Sequence, residues 1–151
     1  NNMLGEEDLN PDGFHRWTPG VRLASMMCPT LARLADGGEV ALGTGGSNRI
    51  RGAVLQVLLN LCAFGLPLQR AVDSPRMHLE GTQLSLEAGL PAVAENALAG
   101  HAEAQGWPEI ERWPEPSLFF GGVHAAERLP GGGFRGVGDF RRGGAVDANQ
   151  G

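Results

Sequence analysis

Apolar positions along this chain follow two rhythms. From Ile50 they recur at helical spacing: Ile50, Val54, Val57, Leu58, Leu61 and Cys62 share a face, which Leu55 and Leu59 widen. The pattern predicts a long helix over 50–64, buried on most sides. Gly65 stops it and Pro67 keeps it from resuming. Ahead of it, the short runs 31–34 and 39–42 flank Asp36-Gly37-Gly38 and predict a β-hairpin. Pro29 marks the start of the first strand rather than its centre.

Further along, 68–72 predicts a short helix that ends before Ser74-Pro75, since a residue preceding proline avoids the α region. Strands follow at 76–79 and 83–86. A helix over 91–105 begins with Pro91 as its first residue and ends at Gly106; Val93, Ala97, Leu98 and His101 form its apolar face. A strand at 110–113, a strand with a glycine bulge over 118–126, and a strand at 134–139 complete the pattern, with 141–147 as loop. Strand pairs separated by helices predict an α+β fold rich in antiparallel pairing, not a doubly wound one.

Composition narrows the classes. One domain, 1–151, is the expectation for 151 residues with 42% hydrophobic and 19% charged content. A net charge of −5 argues against a nucleic-acid partner. No apolar run is long enough to span a bilayer as a helix. All twelve basic residues are arginine, so no lysine can form a Schiff base or serve a phosphate-binding loop. His15, His78, His101 and His124 lack ligand spacing, and neither a metal nor a cofactor is expected. Cys62 reads as a packed thiol on the buried helix face, and its pairing with Cys28 stays open. The start at Asn1-Asn2, with no methionine or signal segment, predicts a fragment or a processed subunit.

Three stretches bear on chemistry. Gly43-Thr44-Gly45-Gly46-Ser47 links a strand to the long helix, where loose N–H groups can hold an anion or a developing oxyanion. A tight connection that binds nothing is an equal reading of the same residues. Glu6, Glu7 and Asp8 form an acidic loop, either simply solvated or offering a carboxylate to a cationic ligand group. Ser25 lacks a Gly-x-Ser-x-Gly elbow and reads as a turn residue. No nucleophile stands out.

Asn1-Asn2-Met3-Leu4-Gly5-Glu6, Ser25-Met26-Met27-Cys28-Pro29-Thr30, Gly43 to Ile50, Ser74-Pro75-Arg76-Met77-His78 and Asp139 to Ala145 occur in an order and spacing that resemble the small subunit of γ-glutamyltranspeptidases. The resemblance implies an N-terminal-nucleophile hydrolase with an αββα sandwich, of which this chain is a C-terminal portion. It implies a self-cleaving precursor and a heterodimer with a large subunit. The catalytic threonine, its amine and a carboxylate-binding arginine of the large subunit would lie outside the chain.

By the same resemblance, Gly45 and Gly46 match the glycines whose N–H groups form the oxyanion hole, with Ser47 included by a one-residue shift in register. Ser25 matches the first of two serines that hold the substrate's α-carboxylate; the second is Met26 here. Glu6 stands where an aspartate pairs with the α-amino group, Asn2 joins it as a substrate-binding residue, and Met3 replaces a glutamine. The implied substrate is a small γ-glutamyl amide such as glutathione, with acyl transfer to water or an amine. A cephalosporin-acylase-like amidase and a non-catalytic binding domain are the alternatives. The resemblance implies a periplasmic or secreted protein, with the cytoplasm as the other option.

Overall fold

A computed structural model of the chain describes residues 4–147. The predicted hairpin is present as β1 (Thr30–Arg33) and β2 (Glu39–Gly43), closed by a backbone hydrogen bond from the Leu34 N–H to the Gly38 carbonyl. β2 then pairs antiparallel with β6 (His124–Arg128), and β6 with β7 (Phe134–Val137), giving a four-stranded sheet in the order β1-β2-β6-β7. A second sheet holds β3 (Met77–Glu80), β4 (Gln83–Leu86) and β5 (Glu109–Arg112). β3 and β4 run antiparallel, whereas β5 lies parallel to β4. The return is made by helix α3 (Ala92–Ala104), since a parallel neighbour needs a crossover.

Helix α1 (Arg49–Cys62) and the short α2 (Leu68–Asp73) pack on one face of the larger sheet. Alternation along the strands sends Val40, Leu42, Ala125 and Val137 into that layer, where they meet Ala53, Val54 and Val57 of α1 and Leu68, Ala71 and Val72 of α2. The opposite face of the sheet stays open. It carries Leu31 at 85% exposure, Ala41, Ala126 and Phe134 at 77% exposure, with Gly136 and Val146 beside them, and forms a broad groove.

Several expectations are corrected. α1 is not buried on most sides: Leu55 and Leu59 are exposed, because the sheet covers one stripe of the helix and these residues project away from it. The helix ends at Cys62, which is exposed rather than packed, while Cys28 lies against the core; both thiols are free. α3 turns Ala94, Leu98 and Ala102 inward while Val93 and His101 face solvent, and Pro91 is its N-cap rather than its first residue. Leu118–Phe120 is a 3₁₀ turn, not a strand: Ser117 Oγ accepts the Phe119 N–H, and Phe120 is buried. Within the expected loop 141–147, Arg141 and Arg142 belong to a further 3₁₀ turn, Phe140–Arg142.

Candidate functional site

The link from β2 to α1 has an unusual backbone. Gly46 has φ 137° and Ser47 has φ 54°, a left-handed value that L side chains adopt at a cost. Arg49 and Ile50 donate back to the carbonyls of Gly46 and Ser47 at 3.0 and 3.1 Å. The N–H groups of Gly45, Gly46, Ser47 and Asn48 meet no acceptor among the described residues. Asn48 gives α1 no side-chain cap either. Four donors without acceptors among the described residues thus follow one another in a half-buried turn at a helix N-terminus, where the helix dipole adds partial positive charge.

The turn is braced from behind. Thr44 Oγ1 donates to the Gly45 carbonyl at 2.9 Å and accepts the Gly122 N–H at 2.9 Å. Gly121, at φ 81°, lies so close that a Cβ there would sit 3.2 Å from the Gly45 carbonyl oxygen. Val123 N–H in turn donates to Asp139 Oδ2 at 2.8 Å. On the helix side, Arg49 Nε donates to the Phe119 carbonyl at 3.0 Å, with its guanidinium 4.8 Å from the Phe119 ring centre. Phe119 stacks on Trp113 at 4.8 Å.

Behind these contacts lies a buried network of four charges. Arg76 Nη2 donates to Asp139 Oδ2 at 2.6 Å, and Glu87 accepts from both Arg141 and the Arg76 N–H. Burial alone would raise the Asp139 carboxyl, but the Arg76 charge, the Arg141 N–H and the Arg76 hydrogen bond outweigh it and hold the group below the usual aspartate range. Two cations and two anions thus sit in the interior without net charge. The network fixes Asp139, which fixes the 121–123 segment, which backs the turn.

Among the residues expected to form the site, Glu6 and the glycine turn come together. Ser47 Oγ donates to Glu6 Oε2 at 2.6 Å across 41 residues of sequence. Ser25 does not join them through any hydrogen bond among the described residues; its Oγ accepts the Met27 N–H at 3.2 Å. That partner agrees with its reading as a turn residue. Met26 is buried. Asn2 and Met3 lie outside the described residues. No group of His, Cys, Asp and Glu suited to a metal occurs among the described residues.

Sequence reasoning missed Arg142, whose guanidinium lies 3.5 Å from where a Gly45 Cβ would be. It also missed the Thr44–Gly122 clasp. Neither leaves a periodic trace.

The model of the gamma-glutamyltranspeptidase family matches residues 1–148. The chain belongs to that family. It is 30% identical over 141 residues to the Acylase ACY 1 proenzyme of Pseudomonas sp. (strain SE83), covering 93% of this chain and 24% of that protein. It is 29% identical over 147 residues to the glutathione hydrolase proenzyme of Bacillus subtilis (strain 168), covering 97% of this chain and again 24% of the relative. Its structure resembles the transpeptidase enzyme CapD of Bacillus anthracis, with a TM-score of 0.69, 27% identity and coverage of 87% of this chain and 75% of that one. The architecture is accordingly the α+β one of N-terminal-nucleophile hydrolases. The chain spans about a quarter of the length of the curated relatives it matches.

Proposed function

We propose that this chain supplies the oxyanion turn and part of the acyl-binding pocket of a γ-glutamyltranspeptidase-like enzyme. The observation that carries the reading is the Gly45-Gly46-Ser47 turn, with uncommitted N–H groups on one side and Glu6 joined to it through Ser47. A nucleophile borne elsewhere in the precursor attacks the carbonyl of a γ-glutamyl amide. Backbone N–H groups of Gly45, Gly46 or Ser47 hold the tetrahedral oxyanion, a donor type worth about 3–4 kcal/mol in other acyl-transfer enzymes. The amine leaves, and the acyl-enzyme passes its acyl group to water or to a second amine. Glu6 receives the donor's ammonium group.

Alone, the 151 residues turn nothing over, because the attacking group is not among them. The remainder of the precursor, acting as a large subunit, covers the open sheet face around Leu31, Ala126 and Phe134. The test is hydrolysis of γ-glutamyl-p-nitroanilide by the full-length protein that contains this chain, beside the chain by itself. Turnover by the former alone is expected; turnover by the isolated chain overturns the division of labour.

One observation favours a second reading, an amidase acting on other acyl groups. Met26 is buried where the family pattern has a second carboxylate-holding serine, and Ser25 Oγ is already engaged by its own turn. The similarity to Acylase ACY 1 proenzyme points the same way. Cleavage of a glutaryl or cephalosporin side-chain amide in preference to the γ-glutamyl anilide would select it.

A further inference from the structure

Two carboxylates from distant parts of the chain hold consecutive residues at the end of the glycine turn. Glu6 accepts a hydrogen bond from the Ser47 hydroxyl at 2.6 Å, and Glu80, the last residue of β3, accepts one from Asn48 Nδ2 through Oε1. An asparagine at a helix start ordinarily turns its side chain back to cap the first N–H groups. Asn48 makes no such bond, because both ends of its amide are engaged elsewhere. Its Oδ1 accepts from Arg49 Nη1 at 2.7 Å while its Nδ2 donates to Glu80.

Glu80 reaches the turn from the other sheet. α1 packs on the larger sheet, whereas β3 belongs to the smaller one. Gln56 of α1 fastens the two elements together: its side-chain amide accepts the Met77 N–H and donates to the Met77 carbonyl, both at 2.9 Å. One residue on, His78 lies on the same face of the strand as Glu80. The His78 side chain is 12% exposed, and its buried Nε2, without a hydrogen bond, lies 3.7 Å from Glu80 Oε2. Glu80 is itself exposed, yet each of its carboxylate oxygens faces a group: Asn48 on one side, the imidazole on the other.

What this brace holds is strained. Ser47 has φ 54°, and a left-handed serine persists only where its surroundings over-determine it. Relaxation of that angle rotates the peptide that carries the Ser47 N–H, one of the donors without an acceptor among the described residues.

We propose that Glu80 is a positioning residue for this site: by holding the Asn48 side chain it keeps the Ser47 backbone, and with it the N–H groups of the turn, in the geometry that receives an oxyanion. It acts through Asn48, not on the substrate. The assignment rests on the reading under Proposed function and deepens it.

The test uses the full-length protein and the amide it cleaves best, γ-glutamyl-p-nitroanilide on the first reading. Donors that serve only the tetrahedral oxyanion affect kcat more than KM. Glu80→Ala is therefore expected to lower kcat about tenfold, with KM changed less than about twofold. Glu80→Gln, which keeps an oxygen for Asn48, retains most of kcat. Asn48→Ala, which keeps the backbone N–H, reproduces the loss of Glu80→Ala. The double variant is no slower than either single one, since both remove the same contact. An NMR titration of His78 reports the geometry: removing the Glu80 charge in Glu80→Gln lowers the imidazole midpoint below that of the wild type. Multiplied losses in the double variant, a loss on KM alone, no loss in Glu80→Ala, equal losses in Glu80→Ala and Glu80→Gln, or an unchanged His78 midpoint overturn the assignment of Glu80 and leave the acyl-transfer reading intact. A wild type that cleaves no amide of either reading overturns both.

Discussion

Arg141 and Glu87 meet fork to fork: Nε donates to Oε1 and Nη2 to Oε2, each at 2.7 Å, and neither side chain is open to water. The guanidinium also donates to the carbonyls of Val72 and Ser74 at 3.2 and 3.0 Å, so one side chain ties the end of α2, the end of β4 and the C-terminal 3₁₀ turn together. Replacing Arg141 with methionine leaves the buried Glu87 without its ion-pair partner, with only the Arg76 and Ser117 N–H groups still donating to it. Such losses cost about 3–5 kcal/mol. The denaturant midpoint of the full-length protein should fall accordingly, and Arg141→Lys, which cannot reproduce the bidentate fork, should recover only part. A loss below about 1 kcal/mol would remove the pair from the structural account.

The same network sets an acid limit. Asp139 titrates below its ordinary range when folded, so the unfolded chain binds a proton at a higher pH than the native one. Its contribution is fully present above the unfolded aspartate value, near 4, and is lost as pH falls through the lower folded value. Stability measured by urea unfolding should drop on going from pH 5 to pH 3. Asp139→Asn should lower stability at neutral pH and flatten that slope.

His78 moves in the direction set by burial, with Arg49 and Arg51 adding to it and Glu80 opposing. Its imidazole should titrate below the usual histidine range in an NMR titration, remaining neutral at pH values where an exposed histidine is partly charged. A midpoint at or above the ordinary value would contradict the packing of His78 against Phe119, whose ring centre is 6.0 Å away.

Two glycines give a steric contrast. A Cβ at Gly138 would lie 2.5 Å from the Ala145 nitrogen and 2.7 Å from the Gly144 oxygen, all backbone, whereas one at Gly131 meets nothing within 4 Å. Gly138→Ala should destabilise by about 1–3 kcal/mol, the range of overpacked interiors, and Gly131→Ala by far less. Thermal unfolding of the two variants side by side decides it.

Ser47 separates a backbone role from a side-chain role. Ser47→Ala keeps the N–H but removes the hydroxyl that donates to Glu6. On the proposed function, the full-length protein carrying it should show a KM raised several-fold for γ-glutamyl donors, because Glu6 loses the bond that orients it, with kcat reduced less than about threefold. A hundredfold fall in kcat would place the hydroxyl in the chemistry itself.

Local pattern suffices for the elements that bury one face. The hairpin, α1, the β3–β4 pair and α3 all follow from period and turn residues, and the acidic loop and glycine turn stand out by residue type alone. What escapes depends on partners distant in sequence. Leu118-Phe119-Phe120 has the composition of a strand, and only the Ser117 cap and burial of Phe120 turn it into 3₁₀. Leu55 and Leu59 read as core because hydrophobicity does not say how many sides of a helix are covered. Nothing in the sequence marks Glu87, Asp139 and Arg141 as buried partners, since a contact across 54 residues leaves no spacing to recognise. Arg142 is hidden for the same reason: its neighbours are glycines, whose only mark is the side chain they lack.

The clasp between Thr44 and Gly122 joins residues 78 apart in sequence, and the edge of β2 not taken by β1 pairs with β6, a strand far along the chain. Contacts of that span form late, after a long loop has been closed. The hairpin and α1 can assemble early from local contacts, but the turn between them stays unbraced until the last strands arrive. A turn whose bracing is completed only at the end of folding is not preorganised to hold an anion while its chain is still immature, and the timing is written into the strand order of the larger sheet.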